Sequence, residues 1–363
     1  MSSLPGATPT LATVVIGAGQ AGLSASGHLV RGGLRPYQDF VTLDANEGPG
    51  GAWRHRWASL TLGKAHAVHD LPGLPLGTPD PHEPASTVVS RYYGDYERRF
   101  ALPVVRPVHV DAVTSRPDGL LDVRAGQRTW TTRTLINATG TWDKPLWPYY
   151  PGRETFTGRQ LHTHDFVDAA EFAGQSVVVV GGGLSAVQFL LQLADAGART
   201  TWVTRRPPDW TDRAFDPEWG RAVEDRVRDR TRRGLPPESV VAATGIPLIG
   251  DYRAGIDAGV LVSAGPMVAL TADGVLLADG RQVAVDAILW ATGFRHALDH
   301  LAPLKLREPG GGIRTEGVVV EADPRVFLVG YGASASTLGA TRAGREAARG
   351  VLTALGAAAA TRT

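Results

Sequence analysis

Thr13-Val-Val-Ile-Gly17-Ala-Gly19-Gln20-Ala-Gly22 is the stretch that decides the fold. A short β-branched and apolar run of this kind suits a strand buried on both faces of a parallel sheet. It ends in three glycines spaced Gly-x-Gly-x-x-Gly, and an apolar helix pattern from Ala21 to Val30 follows. In that setting the first glycine permits a tight strand-to-helix turn. The second lets the backbone approach a pyrophosphate, and the third lets helix and strand pack closely. An anion then meets unpaired helix N–H groups and the positive end of the helix dipole. A second strand, Phe40 to Leu43, ends at Asp44. An acid about twenty residues beyond the glycines is placed to accept hydrogen bonds from an adenosine ribose.

The same order recurs. Val177-Val-Val-Val-Gly181-Gly-Gly183-Leu-Ser185-Ala186 is a second strand and turn, with alanine in the third glycine's place. A helix pattern from Ser185 to Ala196 and a strand from Thr200 to Val203 follow. Each half then carries Asp-Gly turns and closes on one tripeptide, Ala138-Thr139-Gly140 and Ala291-Thr292-Gly293. Two matched series predict an α/β fold of two Rossmann-like, three-layer dinucleotide-binding domains. The second half differs after its second strand, where Thr204-Arg205-Arg206 stands in place of an acid. A 2′-phosphate needs positive charge and forked donors, which arginine supplies and an acid would repel. NADPH rather than NADH is therefore expected there. The alternative, two solvated arginines at a strand end, weighs most on Arg206.

The bulk numbers narrow the classes. A length of 363 residues makes two domains the default. A net charge of +1 gives no general electrostatic footprint for nucleic acid. Only Lys64, Lys144 and Lys305 are lysines, an arginine bias that points to codon usage rather than to a partner. There is no cysteine, which excludes disulfides, thiolate metal sites and a Cys-x-x-Cys electron relay such as thioredoxin reductases use. Leu11 to Ile16 already reads as a structural strand, and no apolar run is long enough to span a bilayer, so a soluble cytoplasmic protein without membrane contact is expected. Asp143 to Gly152 is rich in proline and reads as a crossing between domains. Pro207 to Pro247 does not fit the repeat. Its charged helix candidate, Pro217 to Arg233, is either a solvated surface helix or a roof over a substrate cleft.

Phe156-Thr-Gly158-Arg-Gln-Leu-His162-Thr-His-Asp-Phe166 resembles the Phe-x-Gly-x-x-x-His-x-x-x-(Tyr or Phe) signature of the class B flavin monooxygenases. Its ending in Phe166 resembles the heteroatom-oxidising, flavin-containing monooxygenase branch more than the Baeyer–Villiger branch. Gly50-Gly51-Ala-Trp53-Arg54, Ala291-Thr-Gly-Phe294 and Val326-Phe-Leu-Val-Gly330 are similar to further family motifs, in the family's order. The resemblance implies an FAD domain from residues 1–147 and 292–363. An NADPH domain of residues 155–291, carrying the insertion near 207–247, would interrupt it. FAD would lie against Gly17, Gly19, Gln20, Gly22, Asp44, Gly51, Trp53, Arg54, Thr139, Gly140 and Gly330. NADPH would lie against Gly181, Gly183, Ser185, Ala186, Thr204, Arg205, Arg206 and Thr292. Hydride would pass to flavin N5, and oxygen would form a C4a-peroxide that oxygenates nitrogen or sulfur of a small organic substrate. The resemblance implies a neutral structural histidine at His162 and leaves His164 without a motif role.

One departure stands out. The family's asparagine after the tryptophan loop falls on Gly63, and the only asparagines of the chain are Asn46 and Asn137. Lys64 and His66 are the candidates to replace that donor, with ordinary loop residues as the alternative. Two other activities use the same scaffold: an NADPH oxidase or electron-transfer reductase, and a redox sensor that binds both nucleotides without turnover.

Overall fold

The computed structural model describes residues 9–65, 68–212, 217–238 and 245–360, except for the side chains of 217–221, 337–338 and 357–360. Two sheets organise the chain. The first contains β1 (Leu11–Ile16), β2 (Phe40–Leu43), β3 (Val104–Val105), β4 (Ala112–Ser115), β5 (Leu121–Ala125) and β6 (Arg128–Asn137). The second contains β7 (Arg159–His162), β8 (Ser176–Val180), β9 (Arg199–Val203) and, later in the chain, β15 (Ala287–Trp290). Between β9 and β15 lie β10 (Trp210–Thr211), β11 (Ile246–Pro247), β12 (Met267–Leu270), β13 (Gly274–Leu277) and β14 (Gln282–Ala284). The chain then returns to the first sheet as β16 (Thr315–Glu316), β17 (Val319–Val320) and β18 (Val326–Leu328). The second α/β unit is thus inserted within the first.

In the first sheet the order is β16-β17-β18-β6-β1-β2-β3, parallel from β18 to β3, with the β4–β5 hairpin extending from β6. Strand order reverses on either side of β1, which makes its carboxyl end the crevice where ligands of such sheets bind. The second sheet, β7-β15-β8-β9, is parallel throughout and reverses in the same way at β8.

Each sheet has a helical face and a β face. On the first, α1 (Gln20–Arg31) and the last helix, α6 (Thr337–Ala360), cover Val15, Phe40, Ile136 and Phe327 with Ala25, Leu29, Ala347 and Val351. The opposite face buries Val14, Leu43, Leu135 and Leu328 against hairpin residues Val113, Leu121 and Val123. On the second sheet α3 (Leu184–Asp195) packs Val187, Leu190 and Leu193 against Val177, Val179 and Leu289. Its other face buries Val178, Ile288 and Trp290 under Met267, Val275 and Leu277 of the β12–β14 meander. The duplication therefore extends to the layers.

Two helices lie outside this repeat. α2 (Ala85–Arg99) packs Tyr92, Tyr93 and Tyr96 against Ala18 and Leu23. α4 (Pro217–Arg232) belongs to the insertion between β10 and β11, yet it docks on the first unit: Arg232 pairs with Glu316 (2.7 Å), Arg342 with Glu224, and Gly312 N–H donates to the Gly234 carbonyl (3.1 Å). Val223, Val227 and Thr231, spaced four apart, form its buried stripe. α4 is thus a strap between units and is not wholly solvated; Thr231 packs against Gly332, at the start of the turn whose Ser334 and Ala335 line the cavity described below. Residues 213–216 and 239–244 of the insertion lie outside the described residues. A short helix, α5 (Gly250–Asp257), follows β11.

Candidate active site

At the first glycine turn, Gly17 has φ +98°, and a Cβ there would stand 2.5 Å from the Ala138 carbonyl oxygen. At Gly22 a Cβ would stand 1.9 Å from the Gly17 oxygen, so helix and strand touch backbone to backbone. A Cβ on Gly19 would meet only Gly51 Cα at 4.0 Å, which leaves the mouth of the turn open. Gly19 caps α1 without any side-chain hydrogen bond, and no acid occupies the first helical turn.

The repeated tripeptide has a geometric cause. Gly181 repeats Gly17, its Cβ position lying 2.2 Å from the Ala291 oxygen. Ala138 N–H donates to Ile16 (2.7 Å) and Ala291 N–H to Val180 (2.8 Å), so each alanine seals the end of its switch-point strand. The threonines tie down the two crossings between units: Thr139 donates to the Ala297 carbonyl (2.7 Å), and Thr292 to the Leu146 carbonyl. Gly140 and Gly293, at φ +63° and +78°, turn the chain into those crossings. The crossings pair with each other, Arg295 N–H donating to Lys144 (2.8 Å) and Leu146 N–H to Gly293 (2.9 Å).

A cavity of about 480 Å³ opens at the switch point of the first sheet. Gly17, Gly19, Gln20, Asp44, Gly51, Trp53, Thr139, Gly140 and Gly330 all line it. Asp44 is buried, with Oδ2 accepting from Arg106 Nε (2.9 Å) and Oδ1 from Asn46 Nδ2 (3.0 Å). Arg106 also forms two 2.7 Å bonds to Glu97 on α2, which fixes the acid's orientation. A carboxylate has further lone pairs, so Asp44 keeps acceptor capacity toward the cavity. Gly22 is spent on packing, and Arg54 folds back to the Pro49 carbonyl (3.0 Å) instead of lining the cavity. Lys64 is exposed and also absent from the lining, and His66 lies outside the described residues. Gly63 packs against Pro81, to whose carbonyl its N–H donates (2.8 Å).

Sequence reasoning missed several cavity residues. Trp142 forms part of the wall, with His55 stacked on it at 5.9 Å and Phe294 at 5.1 Å. His300 and Asn137 are buried together at 2.6 Å, and burial pulls His300 down to about 4. Their positions in the chain, on remote segments, carried no linear signal.

The second turn is open. A Cβ on Gly182 or Gly183 would meet nothing within 4 Å, and Gly183 caps α3 with no side-chain bond and no acid in the first turn. Ala186 is buried at the position of the third glycine, while Ser185 is half-buried. At the end of β9, Thr204 shares a 2.7 Å hydrogen bond with Ser263. Arg205 and Arg206 are exposed, and among the described residues neither has a carboxylate partner. The hydroxyl of Thr292 is committed to the crossing and does not join this group.

The motif from Phe156 to Phe166 acts through packing. Phe156 folds over Gly158, where a Cβ would stand 2.4 Å from the ring. His162 is fully buried. Its Nδ1 accepts from the His164 N–H (3.1 Å), so Nε2 carries the proton and donates to the Gly293 carbonyl (3.0 Å). Burial holds its pKa down at about 4, which keeps the ring neutral. Phe166 packs on Phe189 of α3 (4.5 Å) and on Trp57 (5.9 Å), an aromatic that the loop after Gly51 inserts into the second unit's core.

The whole arrangement has known counterparts. Residues 14–241 match the pyridine nucleotide-disulphide oxidoreductase family. The flavin-containing monooxygenase from Stenotrophomonas maltophilia is 36% identical, with a TM-score of 0.80 over 96% of this chain and 99% of that one. The indole-3-pyruvate monooxygenase YUCCA1 of Oryza sativa subsp. japonica is 25% identical over 84% of this chain and 81% of its own. An uncharacterized oxidoreductase, CzcO, of Bacillus velezensis is 25% identical over 79% and 82%. The chain belongs to the flavin-containing monooxygenases, a flavin-dependent oxidoreductase family built on the pyridine nucleotide-disulphide oxidoreductase fold.

Proposed function

We propose that the chain binds FAD in the cavity at the first glycine turn and NADPH at the second, and oxygenates nitrogen or sulfur of a small organic substrate. The observation that carries this reading is the cavity of about 480 Å³ at the end of β1, which is open where a pyrophosphate would approach Gly19 and has Asp44 in its wall. A Cβ at Gly140 or Gly330 would meet nothing within 4 Å, so the wall leaves room for a flat ring system as well.

The residues then divide the work. The uncapped N-terminus of α1 faces the FAD pyrophosphate, and Asp44, steadied by Arg106, receives the ribose. The uncapped N-terminus of α3 receives the NADPH pyrophosphate, and Arg205 and Arg206 take its 2′-phosphate. The paired crossings and the His162–Gly293 bond hold the two turns in one geometry. When bound, FAD supplies the two-electron chemistry that lets oxygen react. For a thioether the balance is one oxygen atom joined to the sulfur lone pair and the other released as water, with NADPH giving two electrons and solvent one proton. Trp53, Trp142 and Phe294 keep the junction dry. Among the described residues no helix is long and apolar enough to cross a membrane.

The test is to reduce the yellow protein with NADPH without air, mix it with oxygen and follow the flavin spectrum. A species distinct from reduced and oxidised flavin, followed by sulfide or amine oxygenation, is the expected result. Direct return to oxidised flavin with stoichiometric hydrogen peroxide, even when substrate is present, would favour the oxidase reading, which Gly63 in the asparagine's place supports. Replacement of both Arg205 and Arg206 by alanine is expected to raise KM for NADPH by about 100-fold and to spare NADH, since hydrogen bonds to charged groups are worth about 1.5–3 kcal/mol each. Equal effects on the two nucleotides would overturn the phosphate assignment.

A further inference from the structure

His300 lines the cavity, and one of its ring nitrogens has no work in the scheme above. It sits on the short helical turn Asp299–Leu304, against Asn137 at the end of β6. Three linked hydrogen bonds assign its tautomer. The Ala297 carbonyl can only accept, so the Thr139 hydroxyl donates its proton there (2.7 Å). The Thr139 oxygen then accepts from Asn137 Nδ2 (3.0 Å), which turns Asn137 Oδ1 toward His300. That oxygen accepts from His300 Nε2 (2.6 Å). The proton of the neutral ring is therefore on Nε2, and Nδ1 carries a bare lone pair. Burial, its largest cause, holds the ring at about 4, so the lone pair persists at neutral pH.

The lone pair opens on the cavity. Among the described residues nothing donates to Nδ1. Nor is Nδ1 sealed away: the described side-chain atoms enclosed without a partner are Trp57 Nε1 and Arg314 Nε. The sheet says which part of a cofactor would meet it. Asn137 pairs with Ile16 of β1 on one side and with Leu328 of β18 on the other, whereas Asp44 follows β2, across β1. With the pyrophosphate at the turn after β1 and the adenosine ribose at Asp44, the other arm of the dinucleotide runs over β6, about 4.8 Å from β1. Gly140 and Gly330 leave room for the flat ring beyond. Between pyrophosphate and ring lies the ribityl chain, which carries hydroxyl donors and no charge. A neutral nitrogen acceptor suits such a donor.

We propose that His300 Nδ1 accepts a hydrogen bond from a ribityl hydroxyl of FAD, and that the Ala297–Thr139–Asn137 chain fixes the tautomer that allows it. This rests on the FAD assignment made above. Because the Thr139–Ala297 bond belongs to the crossing between units, the crossing also orients the cofactor's acceptor.

The experiment exchanges the FAD of the full-length holoprotein against each of four analogues and measures which cofactor is bound at equilibrium. Three analogues lack one ribityl hydroxyl each, and the fourth lacks the 2′-hydroxyl of the adenosine ribose. One ribityl analogue is expected to compete about 10-fold less well than FAD, because it leaves Nδ1 unpaired. His300→Gln keeps an amide donor for Asn137 and has no acceptor in the place of Nδ1. It should no longer distinguish that analogue from FAD, while its discrimination against the adenosine analogue should stay as in the unaltered protein. Melting temperature reports whether the variant is folded. Equal binding of FAD and all three ribityl analogues to the unaltered protein would overturn the proposal whatever the variant does. So would a ribityl deficit that persists undiminished in His300→Gln. If the adenosine deficit vanished instead, His300 would serve the ribose, and the proposal would fall. Protein that takes up neither FAD nor any analogue would sink the flavin reading itself, an outcome distinct from equal binding of all of them.

Discussion

Replacement of Gly22 by alanine is expected to give a folded but colourless and less stable protein. The added Cβ would stand 1.9 Å from the Gly17 carbonyl oxygen and 3.3 Å from the Ala138 side chain. Both neighbours are anchored. Gly17 N–H donates to Leu43 (2.7 Å) and Ala138 N–H to Ile16 (2.7 Å), so neither can yield without opening the sheet at the switch point. The helix must move instead, and its N-terminus carries with it the N–H groups that would face the pyrophosphate. Overpacking of this kind costs about 1–3 kcal/mol, occasionally more, and a backbone contact belongs at the upper end. A loss of about 3 kcal/mol in FAD binding is more than a hundredfold in affinity. Gly182→Ala is the control, because its Cβ would meet nothing within 4 Å. Flavin content and melting temperature check both variants. Full yellow colour and an unchanged melting temperature in Gly22→Ala would show that the first turn does not seat the flavin. The second turn already carries Ala186 at the matching position, so intolerance is a property of this helix–strand contact and not of the motif in general.

What could be read in the sequence was local and periodic. β1, α1 and Asp44, then β8 and α3, follow from runs and glycine spacings that act within some thirty residues, and all form as such. The recurring tripeptide was visible, but its reason was not: the alanine of each copy presses on a glycine far upstream, and each threonine holds a crossing that begins at the other unit. Thr292 was assigned to the nucleotide through the family resemblance, and its hydroxyl donates to the Leu146 carbonyl and holds the crossing. The composition of α4 left its role open between a solvated helix and a roof. Its charges are plentiful, and three buried positions four residues apart are enough to make it a strap. Arg106, Trp142 and His300 were illegible because their partners come from other segments: Arg106 reaches Asp44 across 62 positions, and His300 reaches Asn137 across 163. Such sites are assembled by topology, which a linear pattern does not encode.

Mild acid is expected to unfold the protein well before its carboxylates are protonated. Three histidines, His162, His296 and His300, are each held at about 4, with burial as the largest cause. Their ordinary value is 6.5. A depressed histidine pKa means that the unfolded chain binds more protons than the folded one throughout the interval between the two values. Stability is therefore fully present above about pH 6.5 and is lost as pH falls toward 4. One pKa unit corresponds to about 1.4 kcal/mol, so at pH 5 the three together remove on the order of 5 kcal/mol. That is comparable to the whole stability of many domains. The neutral rings are also the ones that matter to the junction. His162 donates to Gly293 at one crossing, and His300 meets Asn137 beside the cavity, so charging them would loosen the proposed flavin site first. Urea midpoints at pH 7, 6 and 5, with flavin release recorded in parallel, provide the check. The midpoint should fall at each step, and His300→Gln, whose amide can still meet Asn137, should flatten the decline by about a third if the three contribute equally. A midpoint that does not move between pH 6.5 and pH 5 would mean that these rings take up protons in place, which a ring as enclosed as His162, with both nitrogens already engaged, could do only by giving up the Nδ1 bond that joins it to His164.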